Sequence, residues 1–134
     1  MGLFSKKKKE PMKNENGFID IEVRDLIQWN EPNGEGCIVS DRITKDGYKV
    51  GYMVREKPDS NRPDSGWRFM AGDEDDAYMN NVHNHHVFAI NTVCNYDPDI
   101  IPYLTADINS AFIRVDSHKF ELDDGSKPIC IEKQ

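Results

Sequence analysis

The chain is punctuated by short apolar stretches that alternate with polar positions, and no long helical stripe interrupts them. Over Phe18 to Ile27, Ile19, Ile21 and Val23 alternate against Asp20, Glu22 and Arg24, which predicts a half-buried strand. Trp29 follows in a turn-rich loop, where it is expected to lie over the edge of the core as a cap. Cys37–Thr44 and Tyr48–Arg55 flank Asp46-Gly47, a pair suited to a two-residue hairpin turn. Pairing Lys45 with Tyr48 would set Ile43 opposite Val50, Asp41 opposite Tyr52 and Val39 opposite Val54, a register that keeps most of the bulk on one face. Residues 56–65, with Pro58 and Pro63, read as a connecting loop.

Gly66 to Met70 predicts a short aromatic strand that Gly72 breaks. Asp73 is expected to N-cap a helix beginning Glu74-Asp75-Asp76, with the acids against the positive end of its dipole, and Asn80-Asn81 to close it. Val87 to Ile90 reads as another strand. Asn91-Thr92 are expected to cap a short turn over Val93 to Tyr96, and Pro98 restarts a helix that Pro102 limits to about one turn. Ile100, Ile101, Tyr103 and Leu104 are its core contacts. Strands are expected at Ser110–Val115 and His118–Leu122, with an edge strand at Ile129–Ile131. Five to seven short strands and two or three short helices, without internal repeat, predict an α+β fold: one domain over residues 17–134, built on a mainly antiparallel sheet.

Composition narrows the function classes. At 134 residues, 37% hydrophobic and 31% charged, the chain suits one modest core with a well-solvated surface. No apolar run reaches the ~20 residues that span a bilayer, and the lysines at 6–9 are not followed by the apolar stretch of an export signal. Residues 1–16 read as a disordered basic leader. An anchor reading is weaker, because a myristoylation motif wants Ser or Thr where Lys6 stands, so no stable membrane anchoring is expected. Cys37, Cys94 and Cys130 are widely spaced and odd in number, which fits a reduced, cytoplasmic setting.

Charge is uneven. Residues 1–13 carry +4 and the remainder −11, so the body should repel nucleic acid and attract a basic surface.

Candidate chemistry is sparse. His83, His85 and His86 are the one grouping of metal-ligand type, and no HExxH or paired-Cys pattern supplies a third ligand. The acids Asp73 to Asp76 lack the spacing of a calcium loop. Cys37 and Cys94 sit in apolar stretches with no base nearby in sequence, and no phosphate loop or nucleophile elbow is present. No catalytic residue, metal ligand or cofactor is therefore assigned.

Several words of the sequence together resemble a known family: Gly36-Cys37-Ile38-Val39-Ser40-Asp41-Arg42-Ile43, Val50-Gly51-Tyr52-Met53-Val54-Arg55-Glu56, Asp64-Ser65-Gly66-Trp67-Arg68-Phe69 with Gly72-Asp73-Glu74-Asp75, and Asn95-Tyr96-Asp97-Pro98-Asp99-Ile100-Ile101-Pro102. The resemblance, over about residues 36–115, is to a bacterial family long described as a domain of unknown function and proposed to be immunity proteins of polymorphic toxin systems. It implies a cytoplasmic, non-enzymatic α+β protein that neutralises a cognate toxin by protein–protein contact. Trp67, Asp73, Glu74, Asp75, Asp76 and Tyr78 are the candidate partner contacts, the acids by charge and the aromatics as anchors, although Trp67 and Phe69 share one strand face, which favours the core for Trp67. Two alternatives stand beside this reading: a metal-dependent enzyme using His83, His85 and His86, and a regulatory or structural module.

Overall fold

The computed structural model describes residues 11–134; the expectation of a disordered leader over residues 1–10 lies outside them. Six strands form a single sheet: β1 (Gly36–Ser40), β2 (Tyr52–Arg55), β3 (Trp67–Met70), β4 (His85–Ala89), β5 (Ala111–Asp116) and β6 (Lys119–Leu122). Their spatial order is β4-β1-β3-β2-β5-β6. Every neighbouring pair is antiparallel except β1 and β3, which run parallel with Val39 opposite Phe69. Three short helices join the strands, α1 (Asp41–Thr44), α2 (Asp76–Asn80) and α3 (Ile90–Tyr96), along with 3-10 segments at Val82–Asn84 and Pro98–Tyr103. The expected α+β class with a mainly antiparallel sheet is what forms.

Alternation along the strands sorts side chains to two faces. Cys37, Val39, Met53, Trp67, Phe69 and Phe112 point to one face, where α3, the Pro98–Tyr103 segment and the extended stretch carrying Ile19, Ile21, Ile27 and Trp29 pack on them. Trp67 is fully buried and donates its indole N–H to the Leu104 carbonyl at 3.1 Å, so its polar edge is satisfied inside the core. Trp29 caps the rim as expected, half-buried with its indole N–H on the Gly34 carbonyl at 2.8 Å and the Arg55 guanidinium over its ring.

The hairpin expected at Asp46-Gly47 does not form. Ser40 ends β1, and its hydroxyl accepts the Arg42 N–H at 3.2 Å, capping α1. Gly47, at φ +83°, then leads the chain out of that helical turn. An Asp-Gly pair supplies a positive φ equally to a hairpin and to a helix end, and here the helix end wins. Strands β1 and β2 are not partners at all, because β3 lies between them.

The strand expected over Phe18–Ile27 is also absent. Ile19 and Ile21 do bury their side chains, but the backbone bonds elsewhere: Ile19 N–H to the Thr44 carbonyl at 2.7 Å, Arg24 N–H to the Asn95 side chain and Leu26 N–H to the Asn91 side chain. The expected leader boundary at Asn16 falls inside an ordered turn, in which Lys13 bridges to Ile19 and the Asn14 carboxamide accepts two N–H groups. Asn91 therefore ties down this segment instead of capping α3, which begins a residue earlier and has no side-chain cap. Pro102 lies within a six-residue 3-10 segment and does not cut it to one turn. Residues 129–131 form no strand of the sheet, although the Cys130 N–H bonds to the Arg114 carbonyl at 2.8 Å.

Candidate partner-binding face

The family-like words prove to be fasteners of the fold. Asp64 is fully buried; its carboxylate takes both terminal nitrogens of Arg68 at 2.8 and 2.9 Å and the N–H groups of Asp59 and Gly66. Burial raises this carboxyl, but the Arg68 bonds and the two backbone donors outweigh that and hold it well below the usual carboxylate range. Gly66, at φ +90°, approaches the Glu56 carbonyl so closely that a Cβ would sit 2.0 Å from its oxygen. Asp97 and Asp99 bind Arg114, which is fully buried in β5 and also donates to the Val50 carbonyl at 2.7 Å.

The acidic run is distributed over several tasks. Asp73 pairs with Arg42 at 2.6 Å, and that bond lowers its carboxyl pKa. Glu74 accepts the N–H groups of Ala71 and Gly72, each at 2.8 Å. Asp75, and not Asp73 as expected, caps α2 by accepting the Tyr78 N–H at 2.8 Å. Asp76 is exposed and carries no ion pair among the described residues. Tyr78 lies half-buried, edge-on to His85, and burial raises its phenol pKa. Of the candidate contacts, Trp67 is thus inside the core, Asp73 and Glu74 are engaged within the fold, and Asp75, Asp76 and Tyr78 lie at α2.

The histidines diverge. His83 sits in the 3-10 turn, which removes the shared side it would have if extended, while His85 packs edge-on against Tyr78 and His86 against Phe18. His86 Nδ1 lies 2.7 Å from an Asp41 carboxylate oxygen. Among the described residues no three His, Cys, Asp or Glu side chains are grouped to hold a metal ion. Burial pushes the Cys37 thiol up and the Cys94 thiol up to about 12, so both stay protonated at neutral pH.

What the sequence reading missed is the second face of the sheet. β1, β2 and β3 each carry apolar residues on both sides, a pattern typical of strands covered on both faces, yet α3 and the Pro98–Tyr103 segment pack on one. On the other, Ile38, Val54 and Met70 floor a depression of about 520 Å³, which Met79, Val82 and Val87 extend. Val82 and Val87 are 78% and 61% exposed. Arg68 crosses the floor, held on one side by Asp64 and on the other by Glu56 at 2.8 Å. Glu56 lines it; Glu56 and Asp123 lie near enough to Tyr52 to help raise its phenol pKa, behind the larger effect of burial, and α2, capped by Asp75, brings Met79 to its margin. Exposed Val82 and Val87 leave apolar side chains open to solvent along this side of the sheet.

Fold and site together define an α+β domain whose distinguishing feature is an open, partly apolar sheet face. The model of the Immunity protein Imm33 domain matches residues 37–123, more than half of the chain, and the chain belongs to that family. The match contains every strand apart from Gly36 at the start of β1, and the whole of the open face. No curated protein and no solved structure matches it. Among the described residues no helix is long and apolar enough to cross a membrane.

Proposed function

We propose that this protein is a cytoplasmic immunity protein that neutralises a cognate toxin by binding it, without chemistry of its own, and that the toxin seats on the open face of the sheet. The observation that carries the reading is that face: exposed Val82 and Val87 beside Ile38, Val54 and Met70, with Glu56 at its edge and Arg68 across its floor. Its chemistry suits a partner with an apolar contact patch surrounded by Lys and Arg, because the −11 charge beyond Lys13 speeds encounter with a basic protein and the apolar floor supplies affinity. Asp76 and Tyr78 stand at its rim as contacts; Trp67 acts from beneath, as core.

The test is protection of cells. A toxin encoded beside this gene, expressed from a tight promoter, should arrest growth alone and not when this protein is co-expressed. Val87→Glu and Val82→Glu, both at exposed positions, should abolish protection while leaving the protein folded. Full protection by the doubly substituted protein would remove the sheet face from the proposal, and absence of protection by the wild type would remove the immunity reading.

A further inference from the structure

A second depression, of about 670 Å³, lies away from the open sheet face, among the turn at Lys13, helix α1 and the residues following it, the end of α3, and Lys133. Cationic side chains outnumber carboxylates in its lining. Four cations line it, Lys13, Arg42, Lys45 and Lys133, against the single carboxylate side chain of Asp46. Backbone bridges hold the two outer lysines in place, Lys13 to Ile19 and Lys133 to Tyr48. Ile19, Ile21 and Ile43 provide an apolar wall, and the volume falls in the range of small-ligand sites.

The cations are not equally available. Arg42 gives its guanidinium to Asp73 and Asp46, and Lys45 lies 3.5 Å from Asp41. Lys13 and Lys133 make no ion pair among the described residues. With the Arg42 fork already engaged, the charges left for a ligand are ammonium groups, which bind phosphate as point charges, whereas planar bidentate recognition of a carboxylate calls for a free guanidinium. Arg42 and Lys133 both sit over the Tyr48 ring, at 4.0 and 5.5 Å, so that ring is not offered to a nucleobase for stacking.

We infer that this depression binds the phosphate of a small phosphate ester, with Lys13 and Lys133 on the phosphate and the isoleucine wall against its organic part. The inference does not depend on the toxin-binding reading. It is tested by amide NMR titration of the full chain at constant ionic strength with inorganic phosphate, glucose 6-phosphate, glucose and acetate. Inorganic phosphate and glucose 6-phosphate should shift the Gly47, Tyr48 and Lys133 amides saturably, the ester binding more tightly. Glucose should do nothing and acetate should bind more weakly. Lys13→Gln/Lys133→Gln, at exposed positions, should weaken phosphate binding by roughly tenfold or more, and Val87→Glu should leave it unchanged. Unsaturable shifts, acetate binding equal to phosphate, an ester no tighter than inorganic phosphate, or a double variant that binds like the wild type would each overturn the inference.

Discussion

Replacing Arg114 with Met tests whether the Asp97 and Asp99 anchor stabilises the sheet as the geometry requires. The Arg114 guanidinium is fully buried and lies 4.6 Å over the Phe120 ring. It donates to Asp97 at 2.6 Å, Asp99 at 2.9 Å, and the carbonyls of Val50 and Ser117 at 2.7 and 2.9 Å. Met fills much of the volume but removes the guanidinium donors from all four acceptors, leaving Asp97 only the N–H groups of Val50 and Asp99. Breaking a buried pair by deleting one partner costs about 3–5 kcal/mol, a large part of the roughly 5–15 kcal/mol that holds a domain together. For a chain of 134 residues the melting temperature should fall by about 11–18 °C.

The pH dependence has a definite sign. Burial already pushes the Asp97 carboxyl above its ordinary value, against the pull of Arg114 and the N–H groups of Val50 and Asp99. Removing Arg114 pushes it further, so the folded variant takes up a proton more readily than the unfolded chain. Its stability relative to the wild type should therefore recover as pH falls from neutral toward the ordinary Asp value of 3.8. Urea melts followed by tryptophan fluorescence at several pH values measure this, and Asp97→Asn/Arg114→Met should cost less than the sum of the single changes. A loss below about 1 kcal/mol, or a loss that does not shrink on acidification, would refute the reasoning.

Gly66→Ala should destabilise by about 3 kcal/mol or more, since both the positive φ and the Glu56 carbonyl oppose a Cβ; calorimetry of the variant checks it, and a near-neutral effect would mean the turn relaxes freely. The depressed Asp64 carboxyl contributes stability that is present above the ordinary Asp value and lost as pH falls through its folded pKa. Acid titration should accordingly unfold Arg68→Met at a higher pH than the wild type, as circular dichroism would show.

Much of the fold was legible where one local rule acts alone. Gly72 breaks β3 because its φ is +106°, and Asp75 shows that an acid caps α2, shifted by two residues from the expected position. Where two structures satisfy one local rule, the reading failed. Asp46-Gly47 serves a helix end as readily as a hairpin, and only the distant pairing of β1 with β3 decides between them. The alternation of Ile19 and Ile21 reported burial correctly but said nothing of where the N–H groups go, which is to Thr44 and two asparagines. Arg114 looked like an ordinary strand position because its partners come from a 3-10 segment 15 and 17 residues away. The acids at 73–76 were visible as charge, whereas the open face was not, since whether a strand's second side is covered depends on how the helices are placed around the whole sheet.

The central claim is that the uncovered face of the sheet is where a toxin binds. Its most direct measurement is calorimetric titration of the purified adjacent-gene toxin into the wild type and into variants of each face, with folding checked by circular dichroism. Val87→Glu should weaken binding by at least about a hundredfold, in line with about 3 kcal/mol at an interface anchor, whereas Lys13→Gln, across the domain, should leave affinity unchanged. Undiminished binding by Val87→Glu, or a loss confined to Lys13→Gln, would contradict it.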